Sequence, residues 1–271
     1  MQPIVLAHGF LGYRHFLLWH QFPGVIEALQ ERGIPALQPL VHPTETIEYR
    51  SRQLLEAINQ AFGEHEPIHI ISHSMGGLDA RYLISPSGLA QGHRVISLTT
   101  ISTPHRGSSL ANWIGAYIKP IFTNGCRLLQ YIFIGESREL VRQIAQNRWG
   151  GLGQLRPAYL EKEFNPKIVD DPRVSYFSYA GFVENRITFD NIFRYPLLYS
   201  MYKREGMNDS MVAVESAKWG TYKGCLHGDH GELMGVSVLP WKEPAFDVKT
   251  FILNRLDELE HIEVPSQEKE I

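Results

Sequence analysis

The sequence predicts an α/β fold with a mostly parallel central sheet and helices on both of its faces. Four short apolar segments, Ile4–Ala7, Ala36–Leu40, Ile68–Ile71 and Val95–Ile101, alternate with helical segments along the N-terminal part of the chain. Such alternation indicates parallel strands, because each connecting helix must cross over the sheet. The length of 271 residues and the apolar content of 44% fit a single domain over residues 1–271.

The helices between these strands have recognisable ends. Apolar residues at helical spacing predict a helix over Ile47–Phe62, which Gly63 stops. A shorter helix is expected around Val25–Arg32, with Gly33 as its left-handed C-terminal residue.

The segment Ser72-His73-Ser74-Met75-Gly76 joins the strand Ile68–Ile71 to a helix that starts near Gly76. A strand that becomes a helix within so few residues must turn sharply, and Ser74 lies at the centre of the turn. This is the arrangement of a nucleophile elbow, where small flanking residues let the backbones approach closely. Ser72 replaces the first glycine of the usual Gly-x-Ser-x-Gly pattern. A Ser/Gly-rich connection without chemistry is the alternative interpretation.

Two segments interrupt the alternation of strands and helices. Residues 110–165 are rich in large apolar side chains, which indicates either helices that complete the core or a lid that covers the site and receives an acyl chain. The lid is the preferred interpretation, because the segment leaves the sheet directly after the elbow edge. A second, aromatic-rich insertion spans about 182–207. A strand over Arg173–Ala180 and a final helix over 244–260 complete the predicted elements.

The net charge argues against one class of partner, and the cysteine content argues against a disulfide framework. The net charge of −3, the pI near 6.5 and the lack of a basic block argue against nucleic acid. Cys126 and Cys225 make no disulfide framework, and a single bridge between them stays open. The chain has neither an apolar run of about 18 residues nor a signal-peptide pattern, and a trimmed secreted protein would share the second property.

A serine hydroxyl becomes a useful nucleophile only beside a base, usually a histidine that a carboxylate orients. In sheets of this kind the three residues follow the chain order serine, acid, histidine. Ser74, Asp209 and His230 satisfy that order. His227 is the alternative base, and Asp190 is the alternative acid.

The elbow also supplies a donor for the negative charge that develops during acyl transfer. Because the following helix directs its N-terminus at the turn, the N–H of Met75 is expected to donate to an oxyanion. Asp79, in the same helix, is expected to point away and to act as a structural hydrogen-bond partner. The His-Gly-Asp-His run in the loop expected over 225–232 has zinc-ligand types, but their near adjacency suits tetrahedral geometry poorly.

Five stretches together resemble the bacterial triacylglycerol lipases of the α/β-hydrolase fold: His8-Gly9-Phe10, Ser72–Gly77, Thr103–Ser108, Asn208-Asp209 and Asp229-His230. The resemblance covers roughly residues 3–112 and 205–235. It implies an α/β-hydrolase fold with a helical lid. It also implies that Phe10 supplies a second oxyanion N–H beside Met75 and that His8 braces the loop.

Many of these lipases bind a structural Ca²⁺ that steadies the histidine loop. Glu232 stands at one family ligand position, whereas others fall on apolar or small residues such as Val236. Glu232 is therefore either a calcium ligand or a solvated or loop-bonded carboxylate. No other cofactor is expected.

The leading hypothesis is a lipase or esterase that cleaves carboxylic esters of lipophilic substrates through Ser74, His230, Asp209 and an acyl-enzyme. A phospholipase, a thioesterase or a polyester depolymerase would use the same residues, because these classes differ in pocket shape. A non-catalytic binding module of the same fold is the alternative from another class. The expected partners are a lipophilic ester and, transiently, a lipid–water interface, with no stable protein partner.

Overall fold

The computed structural model describes residues 1–13, 15–16, 19–185, 195–237 and 243–262. Within these ranges six strands form one parallel sheet: β1 (Ile4–Ala7), β4 (Ala36–Leu37), β5 (Ile68–His73), β6 (Val95–Ile101), β7 (Ser175–Phe182) and β8 (Thr221–His227). Their spatial order is β4-β1-β5-β6-β7-β8, so the elbow strand β5 is central. The short strands β2 (His15–Phe16) and β3 (Trp19–His20) form a separate antiparallel pair.

Helices flank the sheet: α1 (Val25–Gln30), α2 (Ile47–Phe62), α3 (Gly76–Ile84), α4 (Leu110–Trp113), α5 (Lys119–Leu129), α6 (Gly135–Ala145), α7 (Gly150–Gln154), α8 (Pro157–Tyr159), α9 (Asn165–Lys167), α10 (Tyr195–Glu205), α11 (Val214–Ala217), α12 (Val248–Leu253) and α13 (Leu256–Glu260). Two π-helical turns, Ile114–Ile118 and Leu160–Phe164, continue α4 and α8. Short 3₁₀ turns lie at Gln91–His93 and Glu232–Met234.

The two faces of the sheet bury different helices, because successive side chains of a strand point to opposite sides. On one face, Ile4 and Leu6 of β1 belong to an apolar cluster with residues of α1, α12 and α13. On the other face, Val5 and Ala7 belong to a cluster with residues of α2 and α3. The α/β class and the helices on both faces are therefore confirmed.

Three sequence expectations need correction. The predicted final helix over 244–260 is two helices, and α12 starts after Asp247, whose carboxylate accepts the Thr250 N–H at 2.9 Å. The strand predicted over Ala36–Leu40 ends at Leu37. The loop expected over 225–232 begins inside strand β8, whose residues are alternately exposed and half-buried. An edge strand of this kind buries too little apolar surface to reveal itself in the sequence.

The helices between 110 and 167, hereafter the helical insertion, have one buried face. Buried insertion residues, including Leu152, Leu155 and Phe164, form a cluster with Met75 and Leu78 of the elbow region. The insertion thus packs directly against the start of α3. Of the second predicted insertion, α10 is described, whereas Phe189, Asp190 and Phe193 lie outside the described residues.

The described residues also bear on the two cysteines and on membrane-spanning helices. Cys126 is buried, Cys225 is exposed, and both are free thiols. Of the helices described, none combines the length and the apolar character that crossing a bilayer requires.

Candidate active site

The elbow turn places Ser74 in a strained backbone conformation at the carboxyl end of β5. Ser74 has φ = 56°, a left-handed value that non-glycine residues rarely adopt. A Cβ atom on Gly76 would lie 2.5 Å from the carbonyl oxygen of Ala7, and one on Gly77 would lie 2.2 Å from Thr103 Oγ1. Both positions therefore require glycine. Ser72 fits the remaining small position, and its hydroxyl donates to the Thr99 carbonyl at 3.3 Å.

Three side chains from distant parts of the chain meet at this edge of the sheet. His230 Nε2 lies 2.9 Å from Ser74 Oγ, and His230 Nδ1 lies 2.7 Å from Asp209 Oδ2. Because the carboxylate only accepts, Nδ1 carries the proton and Nε2 is free to accept from the serine hydroxyl. The structure therefore brings together the serine, base and acid that the sequence selected.

The acid is held by its own loop. Asp209 is fully buried, and its Oδ1 accepts the N–H groups of Met211 at 2.9 Å and Val212 at 2.7 Å. The backbone N–H of His230 donates to the Asp209 carbonyl at 2.9 Å. Acid and base are thus joined through backbone as well as side chain, which fixes the imidazole plane.

The alternative site residues lie elsewhere. His227 ends β8 with an exposed side chain, and its ring packs edge-on against Phe182 at 5.3 Å. Asp79 is buried and pairs with Arg50, as expected of a structural residue. Burial raises the pKa of Asp79 to about 6, against the opposing effect of Arg50. Asp190, the alternative acid, lies outside the described residues.

The expected oxyanion donors flank the serine. A Cβ atom on Gly9 would lie 2.5 Å from Ser74 Cβ, so the loop that carries Phe10 packs directly against the elbow. Met75 immediately precedes α3. Within the described residues, neither the Phe10 N–H nor the Met75 N–H donates to a backbone carbonyl outside the regular elements. Neither amide is thus engaged by such a carbonyl, and their role as oxyanion donors stays a prediction.

The stretch Thr103–Ser108 links the elbow to the acid loop. Thr103 Oγ1 donates to the Ser74 carbonyl at 2.8 Å, and Ser108 Oγ donates to the Met211 carbonyl at 2.6 Å. Ser216 Oγ donates to the Gly107 carbonyl at 2.6 Å. This stretch, one of the five that resemble the lipases, thus connects the loop of Asp209 to the Ser74 side of the site by hydrogen bonds.

Two further buried histidines lie in the motifs around the site but are not part of the group formed by Ser74, His230 and Asp209. The ring of His73 packs against His230 with centroids 4.5 Å apart, and His105 stacks on Trp219 at 5.1 Å. Burial lowers the pKa of both imidazoles well below the usual value, so they are neutral at pH 7. Sequence reasoning assigned no role to either side chain, although both lie inside motifs that it selected.

A cavity of about 280 Å³ opens beside Ser74 and His230. Most of its lining is apolar, and the helical insertion contributes a large part: Leu110, Ala111, Ile114, Leu152 and Leu155. Further lining comes from the loop that carries Phe10 and Leu11 and from the loop that follows Asp209, with Val212. A cavity of this kind suits an apolar group attached to a carbonyl at Ser74.

Glu232 makes hydrogen bonds within the histidine loop. Its Oε2 accepts the Asp229 N–H at 3.0 Å, and its Oε1 accepts the Ala245 N–H at 3.4 Å. No group of three or more His, Cys, Asp or Glu side chains suited to a metal occurs among the described residues. The loop contacts occupy both carboxylate oxygens, and calcium binding at Glu232 stays a prediction.

Comparisons with known proteins identify the class and then the family. No family model matches the chain. The fold resembles that of Staphylococcus hyicus lipase, with a TM-score of 0.69, 19% identity and 96% of each chain covered. The chain therefore has the α/β-hydrolase fold, as expected.

Curated relatives extend the likeness to sequence. Triacylglycerol lipase 2 of Saccharomyces cerevisiae is 32% identical over 244 residues, which cover 87% of this chain and 67% of the yeast protein. Triacylglycerol lipase of Pseudomonas fragi is 34% identical over 114 residues, or 41% of this chain and 37% of that lipase. The chain belongs to the triacylglycerol lipase family and is a carboxylic-ester hydrolase.

Proposed function

We propose that Ser74, His230 and Asp209 are the catalytic triad of a lipase that acts on lipophilic carboxylic esters. The observation that carries the proposal is the position of His230, within hydrogen-bond distance of both Ser74 Oγ and Asp209 Oδ2. In this mechanism Ser74 Oγ attacks the acyl carbonyl while Nε2 of His230 takes its proton. Asp209 stabilises the imidazolium that forms.

The carbonyl oxygen becomes an oxyanion as the tetrahedral intermediate forms. The N–H groups of Phe10 and Met75 would receive this charge, which appears only after attack. Nε2 then returns the proton to the leaving alcohol, and the acyl group stays on Ser74. Water, deprotonated by His230, attacks the acyl-enzyme and releases the carboxylic acid, which restores Ser74.

The apolar cavity supports a lipophilic acyl group as the substrate part that is bound. Its lining holds few polar side chains beyond the candidate catalytic ones, so a charged or sugar-like acyl part would lose hydration there without compensation. The names of the relatives, triacylglycerol lipases, support the same substrate class. We assign the helical insertion as the lid of this cavity, because it forms one of the cavity's walls.

The outer face of the insertion supports action at a lipid–water interface. Many exposed large apolar side chains of the described residues fall between 113 and 134: Trp113, Tyr117, Ile118, Ile121, Phe122, Leu128, Leu129, Tyr131, Ile132 and Ile134. Apolar surface of this extent marks a contact with protein or lipid. Because this apolar surface adjoins the cavity wall that the insertion forms, we propose that it contacts the surface of the lipid substrate.

Covalent labelling tests the proposed nucleophile. A fluorophosphonate should label the wild-type protein at one site, and Ser74→Ala should lose the label together with hydrolysis of p-nitrophenyl esters. The matched control is Ser72→Ala, which removes a neighbouring hydroxyl that bonds, within the described residues, to the sheet backbone at Thr99. Retained turnover in Ser74→Ala would disprove the mechanism. A sharp preference for short, water-soluble esters over long-chain ones would refute the lipase assignment and leave an esterase.

A further inference from the structure

Arg50 of α2 is a buried charge at an unexpected place. Its side chain has no solvent exposure, and it lies on the stripe of α2 that faces the sheet. Its Nε lies 2.9 Å from Asp79 Oδ2, and its Nη1 donates to the His42 carbonyl at 2.6 Å. A buried ion pair is weak support for stability, because desolvation offsets the attraction between the charges. The remaining contacts of Arg50 therefore indicate what the pair does.

Those contacts reach the loop that carries Phe10. Nη2 of Arg50 donates to the carbonyl of His8 at 2.9 Å and to that of Gly9 at 3.2 Å. The Gly9 carbonyl and the Phe10 N–H belong to one planar peptide group and point in opposite directions. A donor that holds the Gly9 oxygen on the α2 side therefore turns the Phe10 N–H away from α2.

Two further donors reach the same oxygen from within the loop. The Val41 N–H donates to His8 Nε2 at 3.2 Å, so the other ring nitrogen, Nδ1, carries the proton and donates to the Gly9 carbonyl at 3.0 Å. The Gly12 N–H donates to this carbonyl at 3.2 Å. These two donors belong to the same loop as the peptide, whereas Arg50 belongs to the core helix α2 and is charged. Among the described side chains that donate to the Gly9 carbonyl, Arg50 is thus the one that comes from a different element.

The opposite side of the loop faces the nucleophile. The backbone of Gly9 packs so closely on Ser74 that a Cβ atom there would lie 3.0 Å from Ser74 Oγ. A small rotation of the peptide between Gly9 and Phe10 would therefore move its N–H relative to the reacting carbonyl. A charged donor on the carbonyl also polarises the peptide, which strengthens the N–H as a donor.

We propose that Arg50, held by Asp79, is a positioning residue for ester hydrolysis that fixes and polarises the peptide whose N–H, on Phe10, receives the oxyanion. The inference rests on the proposed function, in which Phe10 is an oxyanion donor. Arg50 does not touch the substrate. Its effect is exerted on the transition state through the loop, so it should change kcat rather than the binding of the ester.

The test compares Arg50 variants with a matched buried arginine. Arg50→Lys keeps the charge, and Arg50→Met with Asp79→Asn removes both charges, so that no lone charge is left buried. The control is Arg94→Met, because Arg94 has 1% exposure and also binds backbone carbonyls, those of Glu66 and Gly63, at the far end of α2. Each variant is measured for unfolding by urea, for kcat and KM with p-nitrophenyl butyrate, and for inhibition by butylboronic acid, whose serine adduct is a tetrahedral anion.

Loss of one oxyanion donor costs about 10²–10³-fold in kcat, and we expect a misoriented donor to cost about 10-fold. Both Arg50 variants should show this fall with KM changed by less than about twofold, and the boronic acid should bind more weakly by a similar factor. Arg94→Met should lose stability but keep its kcat and its affinity for the boronic acid.

Several results would overturn the inference. These are unchanged kcat in folded Arg50 variants, an equal loss in Arg94→Met, or failure of both Arg50 variants to fold, which would make Arg50 a residue of the fold alone. Wild-type protein without fluorophosphonate labelling at Ser74 would instead overturn the proposed function, and this inference with it.

Discussion

The sheet, which carries Ser74 at the carboxyl edge of its strands, and the helical insertion are both rich in apolar residues, but the two regions place them differently relative to solvent. Leu98 in the centre of β6 has 0% exposure, whereas Leu128 at the end of α5 has 75%. Around the sheet, apolar burial holds polar groups at fixed distances, as for His230 between Ser74 and Asp209. In the insertion, only one face is buried, and the other presents apolar side chains to solvent. In the proposed function, the edge accordingly performs the chemistry and the insertion contacts the substrate.

The largest expected effect comes from replacing the proposed acid at the sheet edge, Asp209. Asp209→Asn leaves the shape of the loop but removes the charge that, in the proposed mechanism, stabilises the imidazolium and selects its tautomer. We expect kcat for a soluble ester to fall about 10⁴-fold. The matched control is Asp190→Asn, the alternative acid in the sequence, which should stay within about twofold. Equal losses of kcat in the two variants, or a loss only in Asp190→Asn, would show that Asp209 is not the acid of the triad.

Much of this edge could be predicted from the sequence because its constraints are local. The sharp turn from a buried strand through a serine to two glycines requires a strained backbone at the serine. The structure places Ser74 at φ = 56°, as this turn requires. Gly63 ends α2 as expected, with φ = 78°. Chain order allowed both His227 and His230 as the base, and the contact of His230 with Ser74 Oγ agrees with the preference for His230.

The part that could not be predicted depends on long-range packing. Arg50 lies among the buried residues of the α2 stripe with Ile47, Leu54 and Ile58, so a charge on an apolar face was the available signal. Its partners, the carbonyls of His8 and Gly9, are 42 and 41 residues away in sequence, and no spacing rule connects them. Strand β8 escaped prediction because one row of its side chains is exposed.

A second prediction makes the same substitution in both regions. Leu98→Ala removes a side chain from a close-packed cluster between the sheet and α3, and it should lower the free energy of unfolding by about 2–5 kcal/mol. Leu128→Ala removes a side chain that is already in water, and it should change this free energy by less than about 0.5 kcal/mol. Urea unfolding followed by circular dichroism measures both. A costly Leu128→Ala would mean that the outer face of the insertion is covered in solution, for example by a second copy of the chain.

The smallest expected effect concerns the outer face of the insertion and depends on the physical state of the ester. Ile121, Leu128 and Ile134 are 74%, 75% and 83% exposed, so their combined replacement by serine should leave the fold and the hydrolysis of p-nitrophenyl butyrate unchanged. Full transfer of each apolar side chain from water stabilises by about 1.5–3 kcal/mol, and partial insertion into a lipid surface by less. We therefore expect about a 10-fold fall in activity on emulsified tributyrin. Val169 and Leu40, exposed apolar residues outside this face, provide the matched serine variants. Equal activity of both sets of variants on the emulsion would show that the apolar face does not contact the substrate. An equal loss of activity on the soluble ester would show that the substitutions disturb the catalytic residues instead.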